Sequence, residues 1–222
     1  MQYLIRRAQP RPELQGLWDG PAWRRAETLE IASFRPESSD HRPRTQARLL
    51  YDREGLYGIY RVEDQYVRCV RTGYQTAVCR DSCVEFFVQP GGASGYFNFE
   101  FNCGGALLLY YVTDPERTED GLKGYVQVSE PDCRQVRVYH SLPEKVEPEI
   151  QEPTEWRLEF FVPFGMLERY AGSVGEPAGA VWRGNLYKCG DETSHPHWAS
   201  WAPVDMKNFH LPSCFGELKF EE

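Results

Sequence analysis

The sequence lacks several features that would assign it to a large class of proteins. No apolar run approaches the ~18 residues that a membrane-spanning helix requires, so we expect no membrane segment. Basic side chains are outnumbered: 25 lysines and arginines accompany 33 acidic residues, for a formal net charge of −8. Nucleic-acid-binding proteins need a basic footprint, so this balance argues against a nucleic-acid partner.

The signature motifs of common enzyme classes are also absent. The chain has no G-x-S-x-G elbow, phosphate-binding P-loop, G-x-G-x-x-G fingerprint or H-E-x-x-H motif. Glycoside hydrolysis needs only two facing carboxylates, and Asp81, Glu85, Glu100 and Glu159 lie on or beside predicted strands. Such acids are equally ordinary surface residues, so the sequence offers no positive case for catalysis.

The chain contains seven cysteines but no C-x-x-C pair. An odd count in a chain of this length, with several cysteines in apolar strand-like segments, is typical of free thiols. Free thiols favour a cytoplasmic location. The first residues show no signal-type apolar stretch, although a removed signal would leave no trace, so the location stays open.

The dominant pattern is period-two alternation, which is typical of half-buried strands. Only Phe164–Tyr170, preceded by Pro163, predicts a helix, and 142–153 is predicted as a loop. We expect one domain (residues 1–222, with 1–22 as an N-terminal segment) folded as an all-β, antiparallel β-sandwich with jelly-roll or immunoglobulin-like layering and one short helix. The predicted strands are Thr45–Tyr51, Leu56–Val62, Cys83–Val88, Tyr96–Cys103, Ala106–Val112, Tyr125–Val128, Cys133–His140, Trp156–Val162, Val181–Cys189 and Phe215–Phe220.

The strand Tyr96–Cys103 carries the most informative pattern. Alternation places its three phenylalanines and Cys103 on one face, which must belong to the core. The opposite face then carries Asn98, Glu100 and Asn102. That face is either an ordinary solvated sheet surface or a platform whose amides and carboxylates hydrogen-bond vicinal hydroxyls.

A second candidate region is the loop-like stretch 188–203, which contains two tryptophans and two histidines. Loops on a rigid sandwich are where binding residues concentrate. Cys189, His195 and His197 suggest a zinc site, but their spacing fits no standard structural-zinc pattern and no fourth ligand is evident. We therefore expect a structured loop here.

Several segments together resemble carbohydrate-binding modules of family nine. The resemblance covers nearly the whole chain from about Trp23 onward and depends on the order and spacing of the segments. They are Leu49–Asp64, Arg80–Val88, Tyr96–Asn102, Trp182–Cys189, Ala199–Pro203, Asn208–His210 and Phe215–Phe220.

This resemblance implies a non-catalytic β-sandwich that binds mono- or oligosaccharides in polysaccharide catabolism, often attached to xylan-degrading or related glycoside hydrolases. In the family, aromatic rings from two loops clasp the sugar while polar strand residues hydrogen-bond its hydroxyls. A tyrosine at position 74 stands where tryptophan is more usual, which leaves the ligand open. Carried over residue by residue, the sugar-binding set is Tyr74, Arg80, Asp81, Glu100, Asn102, Trp198 and Trp201, with Tyr74 and Trp201 as the stacking pair.

The family also implies calcium in some members and an extracellular or periplasmic location. No cofactor is required, and calcium is compatible with carboxylate-rich loops at 114–121 and 191–193. Two other functions stay open: a glycoside hydrolase-type enzyme with a carboxylate pair on the same sandwich, and a protein-interaction domain whose aromatics form an interface. The sequence identifies no catalytic partner.

Overall fold

The computed structural model describes residues 1–119 and 121–222. Within these residues the helices are α1 (Glu130–Cys133) and α2 (Phe164–Ala171), with 3-10 turns at Pro21–Arg25, Val78–Arg80 and Pro212–Cys214. None of the described helices is long and apolar enough to cross a membrane. The strands are β1 (Gln2–Arg7), β2 (Leu29–Glu30), β3 (Ser33–Phe34), β4 (Arg44–Tyr51), β5 (Gly55–Asp64), β6 (Val67–Cys69), β7 (Cys83–Gln89), β8 (Tyr96–Asn102), β9 (Leu107–Thr118), β10 (Gly121–Gln127), β11 (Arg137–His140), β12 (Val146–Ile150), β13 (Thr154–Pro163), β14 (Val181–Cys189), β15 (Trp198–Ser200) and β16 (Gly216–Phe220).

The strands form two layers that share β1. The first sheet has the order β10-β9-β8-β7-β14-β16-β1, and the second has the order β1-β4-β5-β13-β11. Residues Gln2–Ile5 of β1 pair with β16, and Arg6 and Arg7 then pair with β4. Both pairings of β1 are parallel, whereas the other named pairs are antiparallel. The β-sandwich prediction is confirmed, with β1 as the exception to its antiparallel character.

The core lies between the two sheets and follows directly from the alternation in the sequence. The inward residues of β8 are Phe97, Phe99 and Phe101, and each is fully buried against residues of the second sheet. The ring of Phe101 stacks on that of Phe160 from β13, with their centroids 5.2 Å apart. Burying a phenylalanine side chain contributes about 1.5–3 kcal/mol, so this stripe is a main source of stability.

Some predicted elements have the wrong bounds, and the structure contains strands that the sequence pattern did not predict. The predicted strand 133–140 is shorter in the structure, because Cys133 is the last residue of helix α1 and β11 begins at Arg137. Ser129 starts this helix by accepting the N–H of Asp132 at 3.3 Å, which is a helix N-cap arrangement. The predicted loop 142–153 contains β12, which pairs with β6. The N-terminal segment supplies β1, and its Tyr3 and Ile5 are buried in the core. The strands that the sequence pattern did not predict are either short or lie in this N-terminal segment.

One charged cluster lies inside this apolar core. Lys188 of β14 is fully buried, and its ammonium nitrogen lies 3.4 Å from Asp64 and 2.6 Å from Nε2 of His197. Asp64 also accepts hydrogen bonds from Trp156 Nε1 at 3.1 Å and from His41 Nε2 at 2.7 Å. The cluster joins the end of β5 to the loop that follows β14, next to the pocket described below.

Candidate functional site

The outer face of the first sheet is covered by the C-terminal segment 204–215. Phe209 of that segment stacks on Tyr187 of β14 with centroids 4.1 Å apart, and its carbonyl accepts the Tyr187 hydroxyl at 3.0 Å. His210 lies 2.8 Å from the Tyr96 hydroxyl of β8. Between this cover and the sheet a cavity of about 180 Å³ remains. Its lining comprises Cys79, Glu85, Glu100, Arg117, Cys189, Asp191, Trp198, Lys207, Asn208, Phe209 and His210.

The floor of this pocket carries two carboxylates from neighbouring strands. Glu85 of β7 and Glu100 of β8 are directly opposite each other in the antiparallel register and are 2% and 6% exposed. Burial and then the neighbouring Glu100 charge raise the pKa of Glu85 well above its usual range, and burial likewise raises the pKa of Glu100. Glu100 accepts a hydrogen bond from Asn98 at 2.8 Å. Within the described part of the chain, neither carboxylate forms an ion pair.

One wall is the half-buried ring of Trp198. Its Nε1 donates to Asp191 at 2.7 Å, which holds the indole in place. Burial raises the pKa of Asp191. The exposed Lys207 places its ammonium 3.3 Å from the centre of the Trp198 ring, a cation–π contact. The pocket thus combines an aromatic face with convergent hydrogen-bonding groups.

The structure brings two of the sequence-predicted residues, Glu100 and Trp198, into this pocket. It places Trp201 elsewhere: this ring is 4% exposed and belongs to the core cluster. Gly216 leaves room for it, since a Cβ there would lie 2.6 Å from Trp201 Cζ3. Neither Tyr74 nor Trp201 lines this pocket, and their assignment as the stacking pair stays a prediction.

Asp81 and Asn102 are fully buried, and their hydrogen bonds hold the chain that precedes β7 in place. Asp81 accepts the backbone N–H of Arg71 at 2.9 Å, the Arg71 guanidinium at 3.0 Å and Nδ2 of Asn102 at 3.0 Å. Asn102 also donates to the Arg71 carbonyl at 2.7 Å and accepts the N–H of Ala106 at 2.9 Å. Their hydrogen-bonding capacity is used within the protein rather than directed at a ligand.

Arg80 and Tyr74 also lie outside the pocket. Arg80 is exposed and forms an ion pair with Glu192 at 3.3 Å. Tyr74 packs partly against the main core, beneath the guanidinium of Arg134 at 5.7 Å. It borders a different depression beside Gly105 and His140. Their assignment as sugar contacts thus has no support from this geometry.

The proposed metal loops have ordinary internal partners. Residues 114–118 of the expected loop 114–121 belong to strand β9 instead, where Asp114 forms an ion pair with Lys123 at 3.4 Å. Asp120 lies outside the described residues. Cys189 and the two histidines do not gather, since His197 binds Lys188 and His195 stacks on Tyr66 with centroids 3.6 Å apart. All seven cysteines, each among the described residues, have free thiols, as predicted.

Sequence reasoning missed the partnership of Glu85 with Glu100, although a signal for it exists. A hairpin closed symmetrically around the turn residues 90–95 pairs Gln89 with Tyr96, and the same register then pairs Glu85 with Glu100. Lys207 and Asn208 offer no such signal, because they lie in an irregular segment.

A β-sandwich with a pocket that pairs an aromatic face with buried hydrogen-bonding groups has the architecture of a carbohydrate-binding domain. Residues 22–220 match the sequence profile of carbohydrate-binding family 9. The chain therefore belongs to carbohydrate-binding family 9, and its function is non-catalytic carbohydrate binding.

Solved structures agree with this assignment. A protein from Bacteroides uniformis ATCC 8492 classed as carbohydrate-binding has 30% sequence identity and a TM-score of 0.85, with 99% of each chain covered. Two structures of a family 9 carbohydrate-binding module from Caldicellulosiruptor kristjanssonii share the fold. The complex with glucose has 12% identity and a TM-score of 0.66, covering 100% of this chain and 96% of that one. The complex with cellotriose has 14% identity and a TM-score of 0.62, covering 100% and 94%. No functionally curated protein matches the sequence.

Proposed function

We propose that this protein binds a glucose-type saccharide in the pocket between Glu100 and Trp198. The observation that carries the proposal is the pocket itself, where one aromatic face and two buried carboxylates line one small cavity. A pyranose has an apolar C–H face and a rim of hydroxyls, and these two surfaces match an indole ring and carboxyl groups. The glucose and cellotriose bound to the Caldicellulosiruptor module support this choice of ligand.

The dimensions favour a single sugar ring. The cavity of about 180 Å³ is smaller than the roughly 300–1,000 Å³ of pockets that hold drug-sized ligands. We infer that the pocket takes a monosaccharide or one residue of an oligosaccharide, and that the rest of a longer chain stays outside. A sugar stacked on the Lys207 side of Trp198 takes the place of the Lys207 ammonium.

Hydrolysis is less consistent with the geometry. Glycosidases place two carboxylates on either side of the scissile bond, whereas Glu85 and Glu100 project from adjacent strands of one wall. The burial of Trp201 in the core leaves the protein-interaction alternative open. Saccharide binding is favoured because Trp198 and the two carboxylates line one pocket.

Isothermal titration with glucose, cellotriose and xylo-oligosaccharides tests the proposal. Trp198→Ala removes the aromatic face and should lose about 2 kcal/mol of binding free energy or more, because central aromatic contacts dominate such interfaces. Glu100→Gln keeps the shape and should weaken binding, since an amide replaces a two-oxygen acceptor. Tyr74→Ala is the matched aromatic control and should leave affinity unchanged.

Melting curves of the same samples distinguish loss of the site from loss of the fold. Unchanged affinity in both Trp198→Ala and Glu100→Gln, with unchanged melting, would place the sugar elsewhere. Loss of affinity in Tyr74→Ala would restore the sequence-based assignment instead.

We also propose that the protein acts in polysaccharide catabolism beside a glycoside hydrolase, with xylan among the candidate substrates and calcium as a loop-stabilising ion. Family membership supports the first part, and the carboxylates of Asp114 and Asp191 supply oxygen donors for the second. Binding of xylo-oligosaccharides in the titration above tests the xylan assignment. A melting temperature raised by calcium and lowered again by EGTA tests the ion.

A further inference from the structure

Two thiols beside the Glu85 carboxyl group, at the floor of the pocket, are not explained by sugar binding. Cys83 of β7 and Cys189 of β14 are directly opposite each other across the two strands, and Glu85 lies two residues beyond Cys83 on the same face. The two sulfur atoms and a Glu85 oxygen all lie within 4.8 Å of one another. All three residues are at most 2% exposed.

The hydrogen bonds of this cluster are made by thiols, and the Cys83 thiol approaches the Val84 carbonyl at 3.7 Å. The hydrogen bond to Glu85 is donated by the Cys189 thiol at 3.2 Å, and a thiol is a weak donor. A buried carboxyl group whose partners are weak lowers stability, so the arrangement gains from a cation. Soft thiolates together with one carboxylate are the donor set of a thiophilic divalent ion.

We propose that Cys83, Glu85 and Cys189 form a binding site for a zinc-type divalent cation at the floor of the pocket. Zinc bonds of about 2.3 Å to sulfur and 2.0–2.2 Å to oxygen set ligand–ligand distances of roughly 3.5–3.8 Å in a tetrahedron. Donors already within 4.8 Å reach those distances by small side-chain rotations. The sheet register itself holds both sulfur atoms side by side.

The fourth coordination position opens toward the pocket. Glu85 and Cys189 both line the cavity, as do Cys79 and Glu100. A tetrahedral ion held by three protein ligands keeps one position for a further thiol, a water or a ligand oxygen. The site therefore differs from the calcium loops, which offer oxygen donors only, and from the histidines considered from sequence.

Titration of the reduced, metal-free protein with Co²⁺ tests this site directly. We expect one Co²⁺ per chain, a near-ultraviolet thiolate-to-metal band and tetrahedral visible bands, all abolished when Zn²⁺ displaces the cobalt. Cys189→Ser and Glu85→Gln should each weaken binding by more than the roughly 10–100-fold that loss of an outer-shell partner costs. Cys83→Ser should weaken the thiolate band as well.

The matched control is Cys103→Ser. Cys69 and Cys103 are a second buried thiol pair, but the Sγ atoms approach the backbone carbonyls of Glu144 and Arg68 instead of a carboxylate. Cys103→Ser should leave the cobalt spectrum unchanged. Far-ultraviolet circular dichroism of each variant establishes that the fold persists, and Glu85→Gln serves where a cysteine variant does not fold.

The proposal would be overturned if no one-to-one cobalt complex formed. It would also be overturned if the cobalt spectra of wild type, Cys189→Ser and Glu85→Gln were equal. The titration contains no sugar, so its outcome is independent of saccharide binding. A metal complex without sugar affinity refutes only the proposed function, and sugar affinity without a metal complex refutes only this site.

Discussion

The buried ion pair between Lys188 and Asp64 allows a quantitative test of how this core is held together. Lys188→Met replaces the ammonium with an apolar side chain of similar length and leaves Asp64 charged in the core. Breaking a buried pair by removing one partner costs about 3–5 kcal/mol. Asp64 keeps hydrogen bonds from His41, Trp156 and the N–H of Gln65, so we expect the lower limit, about 3 kcal/mol.

The double variant Lys188→Met/Asp64→Asn separates the ion pair from its surroundings. Because removing both charges leaves neither one uncompensated, the double variant should be more stable than the sum of the two single losses predicts. For groups in contact, such coupling is about 0.5–3 kcal/mol. Replacement of a buried pair by uncharged groups is often close to neutral, so the double variant should fold.

Urea unfolding monitored by circular dichroism measures these differences. The control is Arg134→Ala, which removes an exposed pair with Glu130 four residues away on the same helical turn and should cost less than about 0.5 kcal/mol. A loss below about 1 kcal/mol in Lys188→Met, or strictly additive losses in the double variant, would refute the argument that the cluster depends on charge compensation.

Two further predictions concern neighbouring residues. Burial and then the Lys188 charge lower the pKa of His197 from 6.5 to about 3. As the pH falls, the unfolded chain therefore binds a proton at this histidine before the folded protein does. The free energy of unfolding should then decrease between pH 6.5 and 3, by up to about 1.4 kcal/mol per pH unit. His197→Gln should flatten the stability–pH curve in that range, and an unchanged slope would contradict the assignment. Trp201→Ala should cost about 3–5 kcal/mol of unfolding free energy by leaving a cavity, while Trp198→Ala melts like wild type. A Trp201→Ala protein with normal melting but no sugar affinity would contradict the core placement.

Much of the fold was predictable because strand alternation is a local property. The hairpin of β4 and β5, the hairpin of β7 and β8, and the helix α2 all occur where the pattern predicts them. Each hairpin combines an apolar stripe with a nearby turn signal, and burial of that stripe favours one strand register. The short strands β2, β3, β6 and β15 contain too few residues to show a period.

Within the candidate site, only those residues whose positions follow from strand alternation were predictable. Glu100 was placed on the face opposite the phenylalanines, and that placement is confirmed. The same pattern could not show that this face is covered, because the cover comes from residues 204–215, about a hundred positions later in the chain. Nor could it show that Asn102, which the alternation makes equivalent to Glu100, is a buried support that bonds to Arg71, Asp81 and Ala106.

The sequence by itself determined a sandwich of short strands and one polar strand face, because both follow from contacts between residues close in the chain. Only the tertiary structure decided which tryptophan lines the pocket and which one fills the core. Trp198 and Trp201 are three residues apart, so an extended chain places them on opposite faces, but no local property shows which face is buried. Their environments differ because Gly216 leaves space for Trp201, whereas Asp191 holds Trp198 at the pocket wall.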